Sequence, residues 1–259
     1  MLKRLSIFAY GIICYAVFFA TFLYAVGFVG NFWVPRSIDG EPRMYFSTAL
    51  LIDLTLLGIF AIQHSLMARP YFKRWLTQFI PASAERSTYV LFSSVALIAL
   101  FTWWEPIGGV FWDVADPMWR VVLYSLFAFG WGLVLLSTFL INHFDLFGLR
   151  QIWLQLRGRP YTALKFGTPG PYRLIRHPLY LGWFIAFWAT PTMSVTHLVF
   201  ALATGAYILI AIQLEEGDLI DVLGDDYRQY RARVPMIIPF VRAPRGRRQP
   251  EIARREGVS

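Results

Sequence analysis

The chain has 259 residues, of which 57% are hydrophobic and only 15% charged, and a formal net charge of +8. Its apolar runs exclude a soluble domain, which could not cover them with polar surface. The positive charge does not signal a nucleic-acid partner, because the basic residues alternate between loops in the way that sets membrane orientation.

A hydrocarbon core of ~30 Å takes about 20 apolar residues in a helix. Runs of that length cover Leu5–Gly30, Met44–Met67, Thr88–Trp104 and Trp119–Ile141, and each predicts a full span. The first follows Lys3-Arg4 but is longer than a signal-peptide core and lacks a small-residue cleavage pattern, so it reads as a retained helix. Its Cys14 is the only cysteine, which excludes an intrachain disulfide and a cysteine-built zinc site; no metal is expected. A fifth apolar region, Leu179–Leu214, is too long for one span and is interrupted at Thr190-Pro191-Thr192. Proline removes a helix donor and clashes with the preceding turn, so the region predicts a hairpin turning near Pro191. Its first arm, 179–190, measures ~18 Å at ~1.5 Å per residue and falls short of a full span.

The charges fix an orientation. Lys3 and Arg4, the loop with Arg69, Lys73, Arg74 and Arg86, the loop with Arg150, Arg157, Arg159, Lys165, Arg173 and Arg176, and the arginine-rich tail belong inside. The Glu105–Met118 segment, with Glu105, Asp113 and Asp116 and no lysine or arginine, belongs outside. The expected architecture is an all-α polytopic bundle, one domain, with both termini cytoplasmic. Residues 1–141 supply four full spans, 142–241 a cytoplasmic loop, the hairpin and a charged cap, and 242–259 a basic tail. That tail either grips anionic membrane lipid, at ~1 kcal/mol per basic residue, or only sets topology. Nothing in the sequence fixes an oligomeric state.

Segment 142–178 is rich in Gly, Pro and basic residues and cannot lie in lipid, where irregular backbone goes unpaired. It is expected to cover the cytoplasmic face or line a cavity, with a short amphipathic helix over Phe144–Gln155 and a turn at Gly167–Pro171.

Ionisable groups within spans are costly and point to function. Asp53 and His64 lie eleven positions apart, about three helical turns, and so share one face; they are either functional or hydrogen-bonded to a neighbouring helix. Asn142-His143-Phe144-Asp145 sets an imidazole and a carboxylate at the end of the fourth span, a proton acceptor with an orienting group, or else a helix cap. Arg176-His177-Pro178-Leu179-Tyr180 opens the hairpin, with Pro178 suited to a first helical turn. Together with Arg173, this end of the hairpin is suited to an anion. Glu215 and Glu216 close the other arm. Opposite charges on the two arms would satisfy a zwitterion.

The pattern RHPLYLG, the Glu215-Glu216 doublet and YRQYRARVPMIIPFV resemble the C-terminal half of the membrane methyltransferases that include isoprenylcysteine carboxyl methyltransferase. The resemblance implies S-adenosylmethionine as cofactor, with roles for His177, Tyr180, Gly182, Glu215, Glu216, Tyr227 and Tyr230. AIQHSLMARP and NHFDLFGLRQ are similar to the bacterial methanethiol S-methyltransferases, which implies methylation of a small thiol to dimethyl sulfide in a bacterial inner membrane. Displacement at a sulfonium methyl needs alignment, a dry pocket and a thiolate. His64 or His143 is the expected base, with Asp145 orienting it and Arg150 as a source of positive field. The competing readings are a methyltransferase for another thiol, a carboxylate or a lipid, an NADPH-dependent membrane reductase, and a transporter or accessory factor using Asp53 and His64 as an ion relay.

Overall fold

The computed structural model describes residues 1–164 and 166–239; the basic tail lies outside the described residues. The first long helix, α1 (Leu2–Gly30), stops where Asn31 adopts a left-handed conformation (φ 59°) and returns its N–H to Gly27 O. α2 (Phe46–Ala68) stops before Arg69, which is extended as the restriction on a pre-proline residue requires, and Pro70 opens the short α3 (Pro70–Leu76). α4 (Glu85–Trp103) follows a 3-10 turn. After a short strand, β1 (Val110–Asp113), α5 (Pro117–Ile141) begins with Asp116 capping the amides of Met118 and Trp119 and proline at the first helical position. Then come α6 (His143–Leu146), α7 (Leu149–Leu156), a 3-10 turn at Gly170–Arg173, α8 (Pro178–Trp188), β2 (Thr192–Ser194), α9 (Val195–Leu223) and α10 (Asp225–Arg233).

The protein is a multi-pass membrane protein with an all-α bundle. Five segments, α1, α2, the 82–103 segment containing α4, α5 and α9, are long and apolar enough to cross a bilayer. Their shared core is aromatic: Phe28, Phe101, Trp104, Phe127, Trp131, Phe187 and Phe200 are all buried in one cluster.

Three local features depart from the sequence reading. The helix expected over Phe144–Gln155 is two pieces, α6 and α7, parted at Phe147-Gly148. Gly148 has φ 87°, and a side chain there would meet the Ser87 amide nitrogen at 2.8 Å, so the chain turns tightly against the start of α4. The acidic stretch after the hairpin is not a separate cap. It continues α9 without a break to Leu223, and only Gly224, at φ 59°, ends the helix and starts α10. Finally, β1 pairs antiparallel with β2, joining the loop before α5 to the hairpin turn. Val110-Phe111-Trp112 is strand-forming sequence, and the pairing is completed by Val114 N donating to Pro191 O and Val195 N to Gly109 O.

This pairing explains the short hairpin arm. The turn after α8 reaches the same end of the bundle as the start of α5, so the missing length lies at the other end. α8 runs against α5 at a glycine crossing: a β-carbon on Gly130 would sit 2.6 Å from Ala186 N, and one on Gly182 would sit 2.8 Å from Gly130 O. In that register Pro178 starts about one turn short of the end of α5. The segment before Pro178 therefore dips below the rim of the bundle, where irregular backbone is permitted only if it lines protein or a cavity.

Candidate active site

Where residues 169–177 dip, a cleft of about 700 Å³ opens. The ends of α5 (Leu140, Ile141) and α9 (Leu219, Val222) give it an apolar floor, Leu164 and residues 166–169 give one wall, and Tyr172, Tyr227 and Tyr230 give aromatic faces. Phe166 meets Tyr227 and Tyr230 edge-on at ring separations of 6.1 and 5.7 Å. All of this lies at the basic end of the bundle.

Beneath the cleft sits a buried ionic knot. Glu216, 1% exposed, accepts from Arg176 Nε at 2.6 Å and lies 3.0 Å from His177 Nε2 and 3.1 Å from Arg231 Nε. Arg176 also donates to the carbonyls of Arg231 and Val234, and the amides of Arg176 and His177 donate to Pro235 and Met236. The knot straps the chain after α10 across the start of α8. A buried carboxylate is tolerated because each of its oxygens meets a cation. The opposite charges expected to await a ligand are thus largely spent on each other. Two charged groups still face the cleft: Arg173, exposed and without an ion-pair partner among the described residues, and Glu215, exposed and accepting from the Tyr180 hydroxyl at 2.9 Å. Tyr230 donates to Tyr172 O at 2.6 Å, and burial pushes its phenol up to about 12; the phenols of Tyr172 and Tyr227 are pushed up by the same cause. These tyrosines are protonated donors at any physiological pH. Gly182 does not line the cleft. It makes the close crossing that brings α8 onto α5.

The histidines go to separate places. His64 shares hydrogen bonds with Tyr89 (2.8 Å from Nε2) and Ser93 (3.1 Å from Nδ1), both on α4, and stacks on Phe60. Arg86 lies over the Tyr89 ring at 5.8 Å. The next residue on α2, Ser65, bonds the Tyr207 hydroxyl of α9 at 3.0 Å. Tyr180, which holds Glu215 at the cleft, stands on α8. Neither His64 nor Tyr89 lines the cleft itself.

His143 is boxed in. It is 2% exposed, with Nδ1 on Thr138 and Nε2 on Tyr15, both at 2.8 Å, and its ring stacks on Phe139. Burial holds its pKa below the ordinary imidazole value. Asp145 does not orient it: that carboxylate pairs with Arg150 at 2.8 Å and accepts from Tyr161 at 3.1 Å. Asp53 and His64 do share one face, toward α4, but Asp53 lies at the far end, buried, where its Oδ1 accepts the Glu105 amide at 2.9 Å. It caps the chain leaving α4, and no chain of contacts runs from it to His64 among the described residues.

Several site residues are absent from the sequence reading. Tyr89 and Ser93 carried a signal, since the third span holds hydroxyls at four-residue spacing on one face. Arg231 and Tyr172 carried none, because their roles depend on the fold-back after α10.

No family model matches the chain, and no solved structure matches it. Curated sequences do. A methanethiol S-methyltransferase of Crocosphaera subtropica is 56% identical over 240 residues, covering 93% of this chain and 94% of the relative. One from Mycobacterium tuberculosis is 52% identical over 239 residues, 92% of this chain and 98% of the relative. The chain belongs to the methanethiol S-methyltransferase family. Family membership makes it a methyltransferase, and so a user of a methyl donor and a small-molecule substrate. A more distant relative, Nurim of Bos taurus, is 30% identical over 179 residues, 66% of this chain and 68% of its own length.

Proposed function

We propose that this methyltransferase transfers the methyl group of S-adenosylmethionine to methanethiol, releasing dimethyl sulfide and S-adenosylhomocysteine at the cytoplasmic face of a bacterial inner membrane. The basic end of the bundle is that face, by the positive-inside rule. The observation that carries the reading is the cleft, in a chain about half identical to enzymes named for this reaction.

The residues present suit the donor. Its size matches a cleft of about 700 Å³, within the range of small-molecule sites. Arg173 meets the donor's carboxylate, and Glu215, held by Tyr180, meets its amine or ribose hydroxyls. Phe166, Tyr172, Tyr227 and Tyr230 offer ring faces to the adenine and to a sulfonium cation. The knot of Arg176, His177 and Glu216 fixes the floor, and Gly182 lets α8 close on α5. When bound, the donor supplies an electrophilic methyl carbon.

The chain must then supply a thiolate and alignment. His64 takes the thiol proton, because Tyr89 and Ser93 fix its ring and it is less buried than His143; Arg86, over the Tyr89 ring, adds positive field. His143, only 2% exposed, is left as packing. Alignment in a dry pocket contributes up to about 7–11 kcal/mol, and an apolar thiol reaches such a pocket through lipid. Thermal shift in detergent tests the site: S-adenosylhomocysteine should stabilise the protein and NADPH should not, and Arg173→Ala or Glu215→Gln should weaken the first effect. Stabilisation by NADPH alone would replace this reading with a reductase.

A further inference from the structure

Arg150 and Asp145 lie near the cleft without lining it, and their contacts run instead to the loop that walls it. Arg150 Nη1 donates to Asp145 at 2.8 Å and to Thr162 O at 2.9 Å, Nη2 donates to Thr162 Oγ1 at 2.8 Å, and the guanidinium lies 5.1 Å above the Tyr161 ring. Tyr161 returns a hydrogen bond to Asp145 at 3.1 Å. Two residues past Thr162 the chain becomes cleft wall, at Leu164 and again at Phe166 to Pro169.

The other side of this contact is rigid. α7 buries Ile152 (0% exposed) against Ile7 and Ala84, Gly148 abuts Ser87, and Gln151 donates to Asp145 O at 3.0 Å. The loop itself is mostly exposed from Gly158 to Leu164, and Tyr161, at 52% exposure, is tied down by Asp145 and Arg150 rather than by burial. A segment with little buried apolar surface sits at the low end of local stability and depends on the few bonds that hold it.

We propose that Arg150 and Asp145 are positioning residues: a latch that holds residues 157–164, and with them the cleft wall at Leu164 and residues 166–169, and so sets affinity for the methyl donor rather than the rate of chemistry. The fork geometry explains arginine here. A guanidinium offers parallel donors to a carbonyl, a hydroxyl and a carboxylate at once, whereas a lysine ammonium satisfies one or two of them. This rests on the reading of the cleft as the donor's site, but the latch itself is testable without any ligand.

The test compares wild type, Arg150→Ala, Arg150→Lys and Tyr161→Phe as full-length protein in detergent. Amide hydrogen exchange over residues 157–169 should speed up about tenfold in Arg150→Ala, the loss of roughly one charge-assisted bond's worth of protection, with smaller changes in the other two. Calorimetric affinity for S-adenosylhomocysteine should fall about tenfold in Arg150→Ala and be partly restored in Arg150→Lys. KM for the donor should rise in parallel, while kcat at saturating donor stays within a factor of about two and the pH–rate profile does not move. Unchanged exchange over 157–169 in Arg150→Ala overturns the latch, as does a fall in kcat with unchanged affinity, which would make Arg150 part of the chemistry. Faster exchange in Arg150→Ala together with a wild type that does not bind S-adenosylhomocysteine sustains the latch and removes the donor from the cleft.

Discussion

At the scale of single residues, the two histidines offered by the sequence separate by their burial. Each bonds two hydroxyls, His64 those of Tyr89 and Ser93 and His143 those of Thr138 and Tyr15, but His143 is fully buried and His64 only half-buried. His64→Ala should therefore cost about 10²–10⁴ in kcat/KM, the usual range for a proton acceptor, and Tyr89→Phe should cost less; steady-state kcat/KM of the two variants checks both. His143 predicts a stability effect instead. Its folded pKa is lowered by burial, so the neutral form is favoured in the fold while the unfolded chain takes up a proton near pH ~6.5. Its contribution is complete above that value and lost as pH falls below it. The drop in melting temperature between pH 7 and pH 5 should be smaller in His143→Gln than in wild type, and an equal drop would contradict the assignment. Residue types near the site were legible in the sequence, but their pairing was not. Asp145 stands two positions from His143 and was read as its orienting group, yet the tight turn at Gly148 sends the carboxylate to Arg150 and Tyr161.

At the scale of elements, the glycine crossing and the ionic knot carry the site. Gly182→Leu would force a branched side chain into space where even a β-carbon meets Gly130 O at 2.8 Å, and overpacking of this kind costs about 1–3 kcal/mol; the melting temperature in detergent should fall, and activity should fall further because α8 carries Tyr180. Glu216→Ala strands Arg176 and His177 in a buried place. Removing one side of a buried pair costs about 3–5 kcal/mol, so this variant should lose the fold-back after α10, visible as faster amide exchange over residues 231–237. The spans were readable because hydropathy over about 20 residues needs no tertiary knowledge. The hairpin turn was readable from Pro191. The depth at which α8 starts was not, since it is set by the register of Gly130 against Gly182 and by the β1–β2 pairing, both contacts between distant parts of the chain. The unbroken α9 was misread as two units because its charge changes abruptly at Glu215, although its helical backbone ends only at Gly224.

At the scale of the whole molecule, the arrangement divides labour between the two ends of the bundle. The end with Asp53, Glu105 and the paired strands is held together by caps and short-strand hydrogen bonds, while the basic end gathers the dipped segment, the cleft and the latch. An apolar thiol arriving through lipid and a charged donor arriving from the aqueous side would meet where the bundle rim is lowest, between the ends of α5 and α9. The same geometry predicts that cysteines introduced at Gln155 and Asp226 react with a membrane-impermeant maleimide only in inverted vesicles, and that one at Phe111 reacts in intact cells. The most direct test of the central claim is headspace detection of dimethyl sulfide from purified protein given methanethiol and methyl-labelled S-adenosylmethionine. Labelled dimethyl sulfide, produced by wild type and reduced at least tenfold in Arg173→Ala assayed at subsaturating donor, is the predicted result; no labelled product from protein that S-adenosylhomocysteine stabilises would contradict the thiol as substrate.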